Sequence, residues 1–316
     1  MTVAIAGQAR PRRVGLGRRL RGDQNRNLWF WAFVGPFVVG LVVFVIVPIG
    51  WSLYLSFHEA KGTITPTRAV GLANYSEMLR DPAFRDSLWT FLVFAAIIVP
   101  VTFGLSLLLA VLVSRTRVMQ TFFRSVFFLP TACSYVVASL IWRSAIFSGN
   151  PSSLANSFMR NFGQHATAWI DRPHPPWYWL VISSARLWLQ LGFYMILFLA
   201  GLQRISPTLY EASAIDGASS WQTFRHITLP QLRPTSTAVL LLLLINAFQA
   251  FDEFLNILGK QNGYPPYARP PLVYLYYVAM KEQNFGRGSA GAAILTVIIA
   301  LIALLMARVA RSDDRR

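Results

Sequence analysis

Six runs of apolar residues, each long enough to cross a bilayer as a helix, leave this chain few folds to adopt. They lie at about Leu28–Phe57, Ser87–Val113, Phe122–Phe147, Trp177–Leu202, Thr235–Leu258 and Gly288–Ala310. A helix needs about 20 such residues to cross roughly 30 Å of hydrocarbon. A soluble chain of 316 residues is expected to form roughly two domains, which could not hide several runs of that length. Composition agrees, with 54% hydrophobic and 13% charged residues against roughly 25% charged in soluble domains. The runs predict an all-α integral membrane fold with six spans. Pro36, Pro48, Pro100 and Pro130 fall inside them, where membrane helices accept kinks if neighbours satisfy the freed carbonyls.

The formal charge of +16 suggests nucleic acid at first sight. The arginines, however, sit in the tails and between apolar runs rather than on one basic face, so no nucleic-acid partner is expected. Assigning loops alternately puts 17 basic residues on one side, including both tails, and ten on the other. The positive-inside rule then makes both termini cytoplasmic. Residues 1–27, rich in arginine from Arg10 to Arg26, are expected to form a disordered basic cytoplasmic tail, residues 28–310 the six-span domain, and residues 311–316 a short cytoplasmic tail. The run after Asn27 is too long for the core of a cleaved signal peptide, so it reads as a retained first span.

Cys133, the single cysteine, gives neither a disulfide framework nor a multi-cysteine metal site. His58, His165, His174 and His226 are scattered without metal-ligand spacing, so no metal is expected. Trp29, Trp31, Trp51, Tyr54, Trp169, Trp177 and Trp179 lie at predicted span ends, where interfacial belts account for them.

Between the fourth and fifth spans, residues 203–234 read QRISPTLYEASAIDGASSWQTFRHITLPQLRP. Ser206 is positioned to cap a helix whose first residue is Pro207. Leu209, Ala212 and Ile215 recur at helical spacing, and Gly217 can end the helix in the left-handed conformation. A second helix is expected from Ser219 or Ser220, with Trp221, Phe224 and Ile227 on one side and an end before Pro230. Small residues around Ala214 and from Asp216 to Ser219 let another backbone approach closely. Two readings fit this hairpin: an element inserted into a partner's groove, and an amphipathic pair lying among lipid headgroups.

The order Glu211, Ala212, Ser213, Asp216, Gly217, Ala218, Phe224, Ile227, Leu229, Pro230 and Pro234 resembles the EAA loop of binding-protein-dependent ABC importer permeases, with Ser213 in place of the third alanine. Pro48, Leu53, Ser56 and Phe57, followed by GLANYSEMLRDPAF from Gly71 to Phe84, are similar to carbohydrate permeases of the maltose and glycerol-phosphate transporter type. The likeness runs from about Leu28 to Arg308. It departs in the last outer loop, where Gly263, Tyr264, Pro265 and Pro266 stand in place of the family's frequent Gly-Gly-Pro. The resemblance implies the six-helix type I importer permease fold and a coupling helix in this loop. Glu211 would anchor it to an ATPase subunit and Gly217 would make the tight turn.

Polar residues inside membrane spans are costly unless they face protein or a water-filled path. In the fifth span Asn246, Gln249, Glu253 and Asn256 follow helical spacing and are expected to share one face, with Phe248, Phe251 and Phe254 nearby. Gln190 and Tyr194 share a face of the fourth span. The resemblance implies sugar contacts on these two helices, near Asn246, Gln249, Glu253 and Gly192. Interhelical hydrogen bonding and exposure at the outer rim remain equally physical uses of the same side chains. Arg143 and Arg186 have two options, pairing with an acid such as Asp252 or snorkelling to the interface.

The leading expectation is a multi-pass subunit of a bacterial plasma membrane, without catalytic residues, forming half of the pathway of an ATP-driven importer for a sugar or sugar derivative. No GxxxxGK[ST] stretch is present, so ATP and Mg would be bound by partner ATPase subunits. The resemblance implies two such subunits, a second homologous permease subunit, an extracytoplasmic solute-binding protein and membrane lipid as partners. A proton-coupled secondary transporter is the alternative, and would need essential buried carboxylates. A membrane-embedded enzyme would need a close acid–base constellation, which the sequence lacks.

Overall fold

The computed structural model describes residues 16–116, 118–259 and 264–313. The chain divides into a unit ending at Tyr54 and a larger one beginning at Leu55. The first consists of α1 (Leu16–Leu41), a π-helical turn at Val42–Ile46 and the start of α2 (Val47–Leu55). Pro48 explains the π turn: it has no N–H to offer the Phe44 carbonyl, and its ring would press on that oxygen. Widening the turn relieves both problems, and the Val47 N–H bonds Val42 O instead. The basic residues from Leu16 to Asn27 were expected to be disordered but continue as helix α1, because Leu, Arg and Gln propagate a helix once the apolar run nucleates it. Residues 1–15 of that tail lie outside the described residues. From Leu28 to Tyr54 most of the apolar side chains are exposed, and Leu28–Leu55 is long and apolar enough to cross a membrane.

The second unit opens with a two-stranded hairpin, β1 (His58–Glu59) and β2 (Arg68–Ala69), pairing His58 with Ala69 and Glu59 with Arg68. The buried Asn74 side chain, on α3 (Ala73–Arg80), donates to the carbonyls of Ser56 and His58 and fixes this hairpin. The Asp81 carboxylate accepts from the Ala83 N–H at 2.8 Å and caps α4 (Pro82–Arg115), with Pro82 in the first turn. Helix α4 buries Phe84, Phe91, Phe94, Ile98, Leu107, Ala110 and Val113 along one stripe, and its opposite side exposes Trp89, Leu92, Leu105, Leu108 and Leu112. That exposed side is what a lipid-solvated helix requires.

The third span, in which Pro130 predicts a kink, is broken. Helix α5 (Gln120–Phe128) runs into a 3-10 turn at Leu129–Ala132, and the chain extends at Cys133 before α6 (Tyr135–Ile141) and a π-helical turn at Trp142–Ile146. The two parts are bent by 92°. Pro130 starts the 3-10 turn, Ser134 caps α6 through the Val136 N–H, and Thr131 Oγ1 donates to the Leu189 carbonyl at 3.0 Å. These contacts satisfy groups that the break would otherwise leave unpaired.

Beyond it, α7 (Leu154–Arg160) sits in a loop organised by the buried Asn156, which bonds Asn150 O, Thr167 O, the Thr167 N–H and the Trp169 indole N–H. Trp169 is therefore buried core here, not part of an interfacial belt. Helix α8 (Tyr178–Leu202) is the central, most buried span, and packs along α4.

The hairpin follows as α9 (Pro207–Ile215) and α10 (Ser220–Thr223). Helical winding then continues through a π turn at Phe224–Thr228 and α11 (Leu229–Gln231) into α12 (Arg233–Phe248), with a bend of 69° before α12. The second hairpin helix was expected to end before Pro230. It passes through that residue because, as before Pro48, the chain widens into a π turn just ahead of the proline, and the Leu229 N–H bonds Phe224 O.

The fifth span is also interrupted: α12 stops at Phe248, and α13 (Asp252–Leu258) begins after an irregular Gln249–Phe251. After a 3-10 turn at Pro266–Ala268 come α14 (Pro271–Tyr276), a π turn at Tyr277–Lys281 and α15 (Phe285–Asp313). Among the described residues four helices are long and apolar enough to span alone, and up to six spans result if each bent pair is one.

The start of α15 is tied down at two places. The Phe285 N–H bonds Ala60 O, and Asp81 accepts from Tyr274 at 2.6 Å and pairs with Arg287. Burial opposes the Asp81 charge, but the Tyr274 hydrogen bond, the Ala83 and Phe84 N–H groups and the Arg287 charge outweigh it and hold the carboxyl below its ordinary range.

Candidate coupling hairpin and pathway residues

The hairpin is assembled from local signals that agree with one another. Pro207 opens α9, although the Ser206 hydroxyl bonds Thr208 Oγ1 at 2.7 Å rather than capping a backbone N–H as expected. At the other end Gly217 has φ +70°, the Ala218 N–H reaches Ser213 O, and the Gly217 N–H reaches Ala214 O. This pair of bonds is the Schellman C-cap, which a residue with positive φ makes possible. Immediately after it, Ser219 and Gln222 form a reciprocal capping box that starts α10. Two helices are thus stopped and started within a few residues.

What locks the two helices together went unread in the sequence. The Ser213 hydroxyl, buried, donates to Tyr210 O at 2.9 Å and meets Thr223 Oγ1 at 3.3 Å, and Tyr210 Oη meets Thr228 Oγ1 at 3.2 Å. Ser213 is therefore more than a small residue: it bridges the hairpin. The only available signal was the recurrence of hydroxyl-bearing residues opposite one another, at Tyr210, Ser213, Thr223 and Thr228.

The hairpin's outer surface carries Glu211, Ala212, Asp216 and Gly217, all exposed, with Ala218 half-buried. Ile215 is 87% exposed and Trp221 is 66% exposed, although both are large and apolar. No atom lies within 4 Å of the position a Cβ would take on Gly217. A groove of about 450 Å³ runs along this surface, lined in part by Leu209, Ala212, Asp216, Gly217 and Gln222. Phe224 turns inward against the core around α8, Leu229 is exposed, and Pro230 is half-buried. Five of the first six residues of the coupling set thus form one surface, Ser213 lies buried behind it, and Phe224 roots it.

The pathway residues are distributed differently from the single face expected of them. The break at Gln249–Phe251 separates Asn246 from Glu253 and Asn256, so no continuous helix presents all four. Gln249 is exposed at the break, and Asn246 is half-buried, donating to Tyr194 Oη at 3.1 Å and to Leu242 O. Tyr194 and Gln190 are buried on α8. Gly192 lies where a Cβ would sit 1.8 Å from the Phe127 carbonyl oxygen, which makes it the crossing point of α8 and α5. Glu253 is 1% exposed, not at an open rim, and Arg186, 3% exposed, pairs with it rather than with Asp252. Among the described residues Arg143 pairs with no acid; it donates to the carbonyls of Asn256 at 3.0 Å and Gly259 at 2.6 Å, at the C-terminal end of α13. Cations suit that position because the last carbonyls of a helix carry partial negative charge.

A family model described as "Binding-protein-dependent transport system inner membrane component" matches residues 102–316, well over half of the chain and the whole hairpin. The chain belongs to that family. It is a multi-pass membrane protein and the permease subunit of an ABC transporter. Relatives of this permease include the arabinooligosaccharides transport system permease protein AraP of Bacillus subtilis (strain 168), 33% identical over 89% of this chain and 88% of that protein. Another is the sn-glycerol-3-phosphate transport system permease protein UgpA of Agrobacterium fabrum (strain C58 / ATCC 33970), 31% identical over 85% of this chain and 90% of that protein. Its fold matches a chain in the crystal structure of a bacterial ABC transporter involved in the import of the acidic polysaccharide alginate, with TM-score 0.79 and 21% identity over 93% of this permease and 99% of that chain.

Proposed function

We propose that this permease forms half of the membrane pathway of an importer for a sugar or sugar derivative, and that residues 203–234 dock it to a separate ATPase subunit. The hairpin carries this reading. It exposes large apolar residues, two acids and an open glycine turn on a rigid, doubly capped frame. A helix lying among lipid headgroups would keep its acids away from its apolar surface, whereas here Glu211, Asp216 and Ile215 share one exposed region. Relatives named for oligosaccharide and glycerol-phosphate transport support the substrate class.

The partners in this reading are a second homologous permease subunit, two ATPase subunits that bind ATP and Mg, and an extracytoplasmic solute-binding protein. Both termini and the hairpin face the cytoplasm. Closing of the ATPase pair would push the hairpin, and α10, α11 and α12 follow one another without a loop. The push therefore reaches the far end of α12 as a rigid-body tilt, the kind of two-state motion that alternates access.

The test is isolation of the tagged permease from its native membrane after mild solubilisation, alongside Gly217→Pro. Proline fixes φ near −65°, so the turn cannot form. The native chain is expected to retain an ATPase and Gly217→Pro to lose it while still inserting. A native chain that retains none contradicts the docking reading. Uptake of arabinooligosaccharide and of glycerol 3-phosphate into cells lacking the permease, with and without complementation, tests the substrate class.

A further inference from the structure

One arginine touches a half-helix beyond each of the two breaks and the end of α12. Arg186, on α8, donates to the Glu253 carboxylate and to the Asn246 carbonyl. Its guanidinium also stands 5.7 Å from the Phe94 ring centre and 5.5 Å from that of Tyr135. Phe94 belongs to α4, Asn246 to the last turn of α12, Glu253 to the first turn of α13, and Tyr135 is the first residue of α6. The two half-helices beyond the breaks, α6 and α13, pack on each other.

The charges match the helix ends they face. The end of α12 presents partial negative charge and receives the cation, while the start of α13 presents partial positive charge and carries the carboxylate. A buried ion pair is seldom more stabilising than apolar residues of the same shape. Its distinctive property is a fixed geometry, because five guanidinium donors on a planar fork define the directions of their acceptors.

We infer that Arg186 and Glu253 are a positioning pair. They hold the α6–α13 block at a set angle to α8 and α12, and their release lets that block move when the coupling hairpin moves. This rests on the importer reading above for its connection to ATP, but not for the joint itself. Neither residue touches substrate in this arrangement, since both are almost fully buried.

Hydrolysis of Mg-ATP by the complex isolated with this permease, measured with no sugar and no binding protein, tests the connection. Arg186→Met and Glu253→Gln remove the restraint on leaving this arrangement, and are expected to raise that rate roughly tenfold, about 1.4 kcal/mol off a barrier, with the partner subunits still retained. The exchanged pair, Arg186→Glu with Glu253→Arg, is expected not to restore the native rate, because each charge then faces the wrong helix end. A native rate in both single variants, or its recovery in the exchanged pair, overturns the proposal. If the single variants fail to assemble, the apolar double variant Arg186→Met/Glu253→Leu is judged by the same rate.

The joint is also read without any ATPase, by pulsed electron resonance between spin labels at the exposed Val137 of α6 and Leu242 of α12, in a Cys133→Ser background. The distance distribution is expected to broaden in Glu253→Gln. An unchanged narrow distribution sinks the joint, whereas a native complex that lacks ATP hydrolysis sinks only the importer reading.

Discussion

Gly192 and Phe127 meet through their backbones: α8 and α5 approach so closely that only a hydrogen fits between the Gly192 Cα and the Phe127 carbonyl. The atoms crowding Gly192 are main-chain atoms of Phe127 and Phe128, which cannot rotate aside as a side chain can. A position where the resemblance implies a sugar contact is, in this structure, a packing contact between spans.

Gly192→Ala is therefore expected to destabilise the permease at the upper end of the roughly 1–3 kcal/mol typical of overpacking. Thermal melting of the detergent-solubilised protein reads the effect. A variant that melts with the native protein would mean that α5 can withdraw from α8 without penalty.

Gly217→Ala separates conformation from space. Nothing crowds the position, so the substitution acts only through its φ of +70°, which costs an alanine roughly 1–2 kcal/mol. About tenfold weaker retention of the ATPase is expected, and Gly217→Asn should fall between alanine and glycine because asparagine tolerates the left-handed region better. Equal retention by alanine and glycine would remove the turn from the docking argument.

Ser213→Ala removes a buried hydroxyl that bridges α9 and the helix following it. A loss of about 1 kcal/mol in hairpin stability is expected, seen as faster amide exchange at Thr223 and Thr228. ATPase retention should change less than in Gly217→Ala, since Ser213 is buried behind the exposed surface.

Asp81 sets a pH dependence of known sign. Its carboxyl is held below the ordinary range despite burial, so the stabilisation is fully present above the unfolded value of about 3.9. It is lost as pH falls through the lowered folded value. Melting temperature should be flat with respect to this group near neutrality and drop in acid. Asp81→Asn should lower stability at neutral pH and flatten that acid limb. An acid limb as steep in the variant as in the native protein would assign it to other carboxylates.

The hairpin was legible in the sequence because its determinants are local. Gly217, Ser219 with Gln222, and Pro207 each act on residues within a turn of themselves, so their effect survives without knowledge of the rest. The spans were legible as apolar runs for the same reason. The break in the third span had a local marker in Pro130. The break at Gln249–Phe251 has none: it contains neither proline nor glycine, and it is held by Arg186, distant in sequence. Helical spacing therefore joined Asn246, Gln249, Glu253 and Asn256 into a face that does not exist. Trp169 failed likewise, since its burial depends on Asn156 and on rings from neighbouring segments.

The π turns carry a further consequence. Each of the four among the described residues, at Val42–Ile46, Trp142–Ile146, Phe224–Thr228 and Tyr277–Lys281, takes one residue more into its turn than regular helix would. An α-helix turns about 100° per residue, so a residue added to regular helix would rotate everything behind it by that angle, whereas a widened turn takes up the surplus residue and leaves the phase nearly unchanged. The widened turn at Phe224–Thr228 thus leaves α12 in line with the hairpin, where the same extra residue in regular helix would turn it away. Chain length in these few turns, as much as residue identity, aligns the docking surface with the span it drives.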